Sequence, residues 1–523
     1  MPCSRSFRRR FTRVAASCLI LCSFLSLPAR SSRAEAQEVT FNEDMAPLIH
    51  RRCTECHRPG EAAPFSLITY QNVTRRWKTM NRVIEDRYMP PWHPVPGHGD
   101  FADSRRLTDE ELTLWRDWIA AGKPEGDPEK APEPPHFAEG WQGGEPDLVV
   151  TMKVPYTVPA DGPDIYRNFV LPLDLTEDKW VKSVELRPRA RGVLHHSLYF
   201  LDTSGKARQR DGEDGEAGFS GMGFRAAGSL GGYVPGSTPR ALPGDLAMAL
   251  PKGADLILAT HFHPSGKAEE ELLTVGIRFA DKEPARKLHE IQVPPVFGRG
   301  AGIDIPAGER GYTIEDSFIL PVDSEAISVS GHAHYICSEM KMTATLPDGK
   351  EIPLLYIDDW DLDWQDRYFF KEPVFLPAGT VLKSVLIYDN SAENPNNPFD
   401  PPRRIQWGRE STDEMGSIAL TVVPLEAQGT DALTRATRRN RVKVLAELGR
   451  EIRDGRLLER LPRIIEGLDR NADGKLQKLE MPLRLRKRLF DRLDADDNGE
   501  LSAEELETLE DFLENLTRPS KTA

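Results

Sequence analysis

Three pairs of histidines are the residues of this chain best suited to metal chemistry. They hold six of its twelve histidines and read His195-His196, His261-x-His263 and His332-x-His334. Side chains alternate along a strand, so an H-x-H pair places both imidazoles on one face, where they can bind one metal. An adjacent pair reaches one metal only through a bulge or a twist, or by using different ring nitrogens. A lone buried histidine is usually a core residue, so it is the repetition that indicates metal binding.

Adjacent histidines therefore predict a distorted strand. We expect the distortion at residues 194–197, with the imidazoles of His195 and His196 turned toward a cleft. Further along, Met415 begins an apolar strand in "TDEMGSIAL". Alone it is typical of core packing, but a thioether near histidines favours Cu(I) over zinc. A zinc site at the H-x-H pairs is the alternative.

A second chemical motif is Cys53-Thr-Glu-Cys56-His57, the C-x-x-C-H signature of covalent haem attachment. The two thiols form thioethers with haem, and the adjacent imidazole ligates iron. For the sixth ligand we predict Met89, which precedes two stiffening prolines; Met80 and His93 are the alternatives. A redox C-x-x-C is the other interpretation of the motif. The unit resembles class I c-type cytochromes, which implies one-electron transfer.

Two stretches near the C-terminus match the calcium loop of EF-hands, "DRNADGKLQKLE" (469–480) and "DADDNGELSAEE" (494–505). Only residues 481–493 separate them, which indicates a compact pair that shares a helix. In an exported protein we expect structural calcium rather than signalling. The predicted ligands are Asp469, Asn471, Asp473, Lys475, Gln477, Glu480, Asp494, Asp496, Asn498, Glu500, Ser502 and Glu505, of which Lys475 and Glu500 use their backbone carbonyls.

The central part of the chain supplies short strands to hold the histidines. Nine β-rich runs separated by turns begin with "VKSVELRPR" and end with "SIALTVVPL". Such runs indicate sandwich or barrel architecture, and their total length suits two domains better than one. We place these domains at residues 148–285 and 286–426.

Helical patterns flank this β region on both sides. Residues 37–126 are predicted to form an all-α unit, including a helix in "LTDEELTLWRDWIAAG" (107–122) with a Thr108–Glu111 capping box. Residues 127–147 and 427–440 are assigned as linkers, and residues 441–518 as the EF-hand pair. A chain of 523 residues is expected to contain several domains.

The first 36 residues have the pattern of an export signal. Basic residues precede the apolar "VAASCLILCSFLSL", and Ala34-Glu35-Ala36 is a cleavage site; an uncleaved anchor is the alternative. Without this segment we expect no membrane span. The formal net charge of −14 disfavours nucleic-acid binding. After cleavage only Cys53, Cys56 and Cys337 are left, so no disulfides are expected. These features predict a periplasmic or secreted protein.

Four motifs together give the β region a family resemblance. "VLHHSLYF", "LATHFHPSGK", "SGHAHY" and "STDEMGS" occur in this order. Over roughly residues 145–426 the chain resembles the copper type II, ascorbate-dependent monooxygenases, the family of peptidylglycine α-hydroxylating and dopamine β-monooxygenases. The resemblance implies two jelly-roll-like β-sandwich domains, with an all-α cytochrome c domain before them and an α EF-hand module after them in this chain. Bacterial exported proteins that fuse a haem unit to this core are similar.

The resemblance also implies two copper ions with different ligands. His195, His196 and His261 would hold an electron-storage copper, although His263 could compete with His261. His332, His334 and Met415 would hold the oxygen-binding copper and act as the catalytic set. Peptide-hydroxylating members carry an arginine, an asparagine and a tyrosine where this chain has Ser330, Ser417 and Ala419. A peptidylglycine substrate is therefore not expected.

The combined prediction is an exported oxidoreductase that hydroxylates a C–H bond of a small or peripheral substrate with O₂. Ascorbate, another redox partner or the attached haem would supply electrons. The alternative is a non-catalytic copper and haem protein that transfers electrons or binds metal.

Overall fold

The chain is mainly β, with several antiparallel sheets, as the sequence predicts. The computed structural model describes residues 38–137, 140–224, 226–237, 239–408 and 410–453, together with 475–477, 490, 494, 498–501 and 505. The predicted export signal, residues 1–36, lies outside these ranges. No helix in the described part is long and apolar enough to cross a bilayer.

The N-terminal region, residues 38–137, is helical. A π-helical turn at Phe41–Met45 leads into α1 (Ala46–Arg52), and α2 (Tyr70–Glu85) and α3 (Asp109–Ala120) follow, with a 3-10 turn at Pro128–Lys130. The predicted Thr108–Glu111 capping box is confirmed, because each side chain bonds the other residue's backbone N–H. The tryptophans of α3, Trp115 and Trp118, are fully buried in this region's core.

The first β region spans residues 148–279 and contains two four-stranded antiparallel sheets that share one core. The sheet orders are β1-β10-β4-β7 and β3-β8-β5-β6, and β2 pairs with β9. The elements are β1 (Leu148–Thr151), β2 (Tyr156–Val158), β3 (Ile165–Pro172), β4 (Lys179–Arg187), β5 (Leu194–Asp202), α4 (Lys206–Arg210), β6 (Gly228–Tyr233), β7 (Met248–Leu250), β8 (Asp255–Phe262), β9 (Glu269–Glu271) and β10 (Thr274–Phe279).

The second β region, residues 289–424, repeats this plan with a core of its own. Its sheet orders are β11-β20-β14-β17 and β13-β18-β15-β16, and β12 pairs with β19. The elements are β11 (His289–Val293), a 3-10 turn (Pro295–Gly298), β12 (Asp304–Ile305), β13 (Arg310–Ile319), β14 (Ser324–Ala333), β15 (Cys337–Thr345), β16 (Glu351–Ile357), β17 (Arg367–Leu376), β18 (Val381–Asp389), β19 (Ile405–Gln406) and β20 (Gly416–Pro424). Each of the nine predicted β-rich runs overlaps one of these strands or a strand of the first region.

One segment of the N-terminal region belongs structurally to the second β region. Trp92 and Phe101 are buried in that region's core, and Phe101 forms a β-bridge with Phe370. The sequence predicts residues 37–126 as a separate unit, since nothing in the local pattern of "RYMPPWHP" indicates a distant partner. Burying these two aromatic side chains fixes the helical region against the β regions.

The C-terminal part begins with α5 (Gly429–Arg453), which packs on β11. Two short strands follow, β21 (Leu476–Gln477) and β22 (Glu500–Leu501), and they pair antiparallel. Six predicted calcium ligands lie outside the described residues: Asp469, Asn471, Asp473, Glu480, Asp496 and Ser502.

Candidate metal centres

The first cluster of histidines forms where β5 and β8 run side by side. His195 and His196 lie on β5 and His261 on β8, and one ring nitrogen from each lies within 4.8 Å of the others. The ring centroid of His261 is 4.8 Å from that of His195 and 5.0 Å from that of His196. The structure therefore brings together the three histidines that the sequence assigns to one centre.

A bulge in β5 allows adjacent histidines to converge. Leu194 pairs with Phe262 and His196 pairs with His261, so His195 is the extra residue between them. An extra residue in one strand reorients its side chain while the register beyond it continues. The predicted distortion at residues 194–197 is thereby confirmed.

The nitrogens of this cluster have the properties expected of metal ligands. The Nδ1 atoms of His195, His196 and His261 are buried and make no hydrogen bond. Burial, reinforced by the neighbouring imidazoles, holds the pKa of His196 well below its ordinary value and lowers the pKa of His261 to about 4. Both rings are therefore neutral near pH 7, and a neutral imidazole is the form that ligates a metal.

The carboxylate of Asp164 contacts both His261 and His263, which differ in burial. One carboxylate oxygen lies 2.8 Å from His261 Nε2 and the other 2.7 Å from His263 Nδ1. The His263 side chain is 68% exposed, whereas His261 is buried. Asp164 thus orients His261, as carboxylates commonly do for ligating histidines. It precedes β3, far from the histidine motifs, so sequence reasoning had no signal for it.

The second cluster lies between β14 and the start of β20. His332 and His334 flank the end of β14 with ring centroids 5.6 Å apart, and Met415 immediately precedes β20. The Met415 Sδ atom lies 3.2 Å from His332 Nε2. Met415 and His334 are both buried. The H-x-H pair and the methionine are therefore neighbours, as the sequence predicts.

The second ring nitrogens of this cluster are held by the protein. His332 Nδ1 lies 2.5 Å from Gln365 Oε1, and His334 Nδ1 lies 3.1 Å from the Asp413 carbonyl oxygen. Each Nδ1 therefore carries the proton and donates it, which leaves the lone pair of each ring on Nε2. Burial lowers the pKa of His332 and lowers that of His334 to about 3.

Glu414 fixes the backbone on both sides of the second cluster. Its Oε1 atom accepts from the backbone N–H of His334 at 2.6 Å and from that of Met415 at 2.8 Å. The side chain is fully buried, and burial raises the pKa of its carboxyl to about 8. In the Asp-Glu-Met sequence, Met415 thus contributes its side chain to the cluster, and Glu414 contributes a carboxylate that accepts hydrogen bonds from the backbone next to it.

A single segment of the second β region touches both clusters. In residues 360–366, here called the bridging segment, Asp363 Oδ1 lies 3.7 Å from His195 Nδ1 and Gln365 contacts His332. Trp360 donates its indole N–H to the His334 carbonyl oxygen at 3.2 Å. The sequence predicts no chemistry for this segment. Its role becomes visible only when the two regions are placed face to face.

Tyr166 makes a second connection between the regions. Its ring stacks on that of His261 with centroids 4.2 Å apart, and its hydroxyl lies close to the side chains of Tyr335 and Ser411 of the second region. The two clusters thus face each other across a narrow interface.

The C-x-x-C-H motif lies at the end of α1. Cys53 and Cys56 are free thiols, and burial raises the pKa of Cys53 to about 12. His57 Nδ1 lies 3.1 Å from the Phe65 carbonyl oxygen, which orients the ring and leaves Nε2 for another partner. Cys56 packs against Gly236 of the first β region.

The candidates for the sixth haem ligand differ in their surroundings. Met89 follows α2, is half-buried and donates its backbone N–H to the Val83 carbonyl oxygen at 2.9 Å. Met80 is buried in the helical core, where it packs as an apolar side chain. His93 has a buried Nδ1 with no hydrogen bond.

In the described part of the two C-terminal loops, the short strands β21 and β22 pair with each other. Leu476 faces Leu501, and each is the eighth residue of its predicted loop. The two carboxylate oxygens of Asp494 accept from the backbone N–H groups of Asn498 and Gly499, and Gly499 adopts a positive φ of 81°.

Comparisons with known proteins give no family for this chain. No protein-family model matches it, and no curated protein matches it. Among solved structures, the major capsid protein P2 of bacteriophage PM2 is 7% identical with a TM-score of 0.22, covering 53% of this chain and 97% of its own. PNGF-II is 11% identical with a TM-score of 0.22, over 53% of this chain and 65% of its own. A peptide-N(4)-(N-acetyl-β-D-glucosaminyl) asparagine amidase is 9% identical with a TM-score of 0.21, over 54% and 97%. At such scores, function has to be inferred from the residues of this chain.

Proposed function

We propose that this protein is an exported copper-dependent monooxygenase that hydroxylates a C–H bond of a small or peripheral substrate with O₂. One observation carries the proposal. Six side chains that the sequence singles out as copper ligands converge in two clusters, with unpaired donor atoms in the first and a paired thioether and imidazole in the second. The fold proposed for the two β regions is jelly-roll-like, as in the copper type II monooxygenases.

In the first centre, His195, His196 and His261 would hold copper. Their three buried Nδ1 atoms fit the metal, because a buried nitrogen without a hydrogen bond is costly unless a cation or donor occupies the space beside it. Asp164 keeps the proton of His261 on Nε2 and so presents Nδ1 as the donor. This centre would store one electron.

In the second centre, His332, His334 and Met415 would hold copper. The donor set fits Cu(I), because a thioether is a soft ligand and Zn²⁺ is rarely bound by methionine. When bound there, copper supplies O₂ activation and removal of hydrogen from the substrate carbon. Gln365 and the Asp413 carbonyl oxygen hold the Nδ1 protons, and Glu414 holds the backbone of both ligand-bearing strands.

The side of the second centre facing Phe297 has the properties of a substrate site. The Phe297 ring lies edge-on to His332 with centroids 5.1 Å apart and is 39% exposed. An exposed aromatic face beside the ligands suits an apolar C–H substrate. Ser330, Ser417 and Ala419 replace the arginine, asparagine and tyrosine of the peptide-hydroxylating members, which favours a substrate other than a peptidylglycine.

The helical region is proposed to be a c-type cytochrome. Cys53 and Cys56 would bind haem covalently and His57 would ligate iron, and the free thiols and the unpaired Nε2 of His57 fit this group. Met89 is proposed as the sixth ligand. Haem bound there would deliver electrons to the copper core in addition to, or in place of, ascorbate or another external donor.

The C-terminal region is proposed to be an EF-hand pair that binds calcium. Pairing of Leu476 with Leu501 at equivalent loop positions, and the turn that Asp494 organises, support the proposal. A periplasmic or secreted location suits all three metal-binding parts. Nucleic acid is not among the proposed partners, and no membrane span is proposed after signal cleavage.

Oxygen consumption tests the proposed activity. Copper-loaded wild-type protein with ascorbate should consume O₂, and Met415→Ile should abolish this while metal analysis still finds copper in the first centre. Leu386→Ile, a core change of equal volume, serves as the control for folding. Equal O₂ consumption by wild type and Met415→Ile, or none by either, would support the alternative of a non-catalytic electron-transfer or metal-binding protein.

A further inference from the structure

Asp363 places a buried carboxylate oxygen beside the first cluster, although it belongs to the opposite β region. Its Oδ1 atom lies 3.7 Å from His195 Nδ1 and makes no hydrogen bond. Asp363, Asp164 and His261 also form a group in which one carboxylate oxygen or ring nitrogen of each lies within 4.8 Å of the others. The sequence motifs that predict the copper ligands do not include this residue.

Four potential metal-binding atoms at the first cluster lack a hydrogen-bond partner. The Nδ1 atoms of His195, His196 and His261 and the Oδ1 atom of Asp363 are all buried without a hydrogen bond, and the rest of the Asp363 side chain is half exposed. Asp164 differs, because its two oxygens already contact His261 and His263. A buried carboxylate oxygen without a donor is costly, and a cation is the partner that compensates both it and the three neutral imidazoles.

The bridging segment is built to hold Asp363 where it is. Asp361 Oδ1 accepts from the Asp363 backbone N–H at 2.9 Å, and Gln365 Nε2 donates to the Leu362 carbonyl oxygen at 2.9 Å. The buried indole of Trp360 anchors the start of the segment. The carboxylate is thus presented from a fixed turn rather than from a loose side chain.

We propose that Asp363 is a fourth ligand of the first metal centre, so that the metal joins the two β regions. This inference rests on the proposed copper centre. A carboxylate is a harder donor than imidazole or thioether and favours Cu(II) over Cu(I). The first centre therefore has a lower reduction potential than a three-histidine centre would have, whereas the thioether of Met415 shifts the second centre toward Cu(I).

Cu(II) binding to the full-length protein tests this assignment. His334→Gln is the parent background, because it disables the second centre and leaves binding to the first. In that background, Asp363→Asn and Asp363→Ala should lower the affinity for Cu(II) at least about tenfold and raise the reduction potential of the bound copper. Asp361→Asn is the matched control, because it removes the same charge two residues away and keeps the oxygen that accepts from Asp363. It should leave both quantities unchanged.

Hydrogen exchange gives a readout that a three-histidine centre would not produce. Cu(II) should slow exchange of residues 360–366 in the parent and not in Asp363→Ala. Failure of the parent to bind Cu(II) would overturn the proposed copper centre together with this inference. Equal Cu(II) affinity in the parent and both Asp363 variants would overturn the inference alone, and so would an equal loss in Asp361→Asn.

Discussion

At the residue scale, a hydrogen-bond partner occupies one ring nitrogen of a histidine in each candidate centre and leaves the other nitrogen for a metal. His261 gives Nε2 to Asp164, His332 gives Nδ1 to Gln365 and His334 gives Nδ1 to a backbone carbonyl. Of the remaining nitrogens, His261 Nδ1 is buried without a hydrogen bond and His332 Nε2 lies 3.2 Å from Met415 Sδ. The fixed nitrogen decides the tautomer, so these partners determine which nitrogen can bind metal.

Removing the partner of His261 should weaken the first centre without removing a ligand. Asp164→Ala frees the His261 ring to rotate or to change tautomer, and copper affinity should fall about 10- to 100-fold. Competition titration with a chromophoric chelator measures this. Asp161→Ala, an exposed carboxylate three residues earlier, is the control. Identical affinities for the two variants would show that Asp164 plays no part in orienting His261.

At the scale of elements, two features matter: the bulge in β5 and the contact between β11 and α5. His195 is the extra residue of the β5 bulge, so the register of β5 against β8 shifts by one residue there and antiparallel pairing continues on both sides. On the other side of the molecule, His289 of β11 contacts Thr437 of α5, with His289 Nε2 lying 2.8 Å from the hydroxyl oxygen.

Deletion of His195 should abolish the bulge and leave the fold intact. Leu194 and His196 would then follow each other opposite Phe262 and His261, which are adjacent on β8. The deletion variant should retain its circular dichroism spectrum and lose high-affinity copper at the first centre, and His195→Gln should show the same copper loss with the bulge retained. An unfolded deletion variant would mean that the bulge is required for the strand itself.

Docking of α5 should weaken in acid because of His289. Burial, with Arg441 nearby, lowers the pKa of His289 from 6.5 to about 4. The unfolded state therefore takes up this proton at higher pH than the folded state, and stability falls as pH drops from 6.5 toward 4, by at most about 1.4 kcal/mol per pH unit. His289→Gln should flatten this loss.

Hydrogen exchange of residues 429–442 at pH 7 and pH 4.5 measures the effect. The protection factors, which divide out the slower intrinsic exchange of amides in acid, should be smaller at pH 4.5 than at pH 7 in wild type and should change less in His289→Gln. His136→Gln, which alters an exposed histidine outside the helix contact, is the control. The explanation fails if His289→Gln responds to acid as strongly as wild type.

At the scale of the whole molecule, contacts between distant segments hold the three proposed redox sites together. Glu61 forms an ion pair with Arg191 at 2.7 Å, and Arg105 donates to the Gly236 carbonyl oxygen at 3.1 Å. Together with Trp92 and Phe101 in the second core, they place the C-x-x-C-H motif against the β regions. Electron transfer from haem to copper would need such a fixed arrangement.

A methyl group at Gly236 should disturb this docking. Gly236 has a φ of 74°, and a Cβ there would collide with the Cys56 sulfur. Gly236→Ala should therefore increase proteolytic cleavage between residues 127 and 137 and reduce haem incorporation, judged from the c-type absorption band. Gly253→Ala is the control, since it has a φ of 67° and open space around it. Equal cleavage and haem content in the two variants would contradict tight docking.

Local sequence patterns are sufficient to predict the strands and the α3 cap. Strand alternation and helix capping depend on residues a few positions apart, so they can be read from "GVLHHSLYF" or from Thr108 and Glu111 without the rest of the chain. Strand alternation also predicts the distortion of β5, because adjacent side chains of a regular strand point to opposite faces and cannot both reach one metal. The six-ligand grouping came from family resemblance, and the structure brings each set of three side chains together.

The tertiary structure alone decided which residues surround those ligands. Asp164, Asp363 and Gln365 reach the histidines from 33 to 168 positions away in the sequence, and Asp164 also contacts the exposed His263. Packing of Trp92 and Phe101 in a distant core was equally hidden. Such contacts depend on how sheets pack and face one another, which is fixed by burial of whole surfaces rather than by any local pattern of residues.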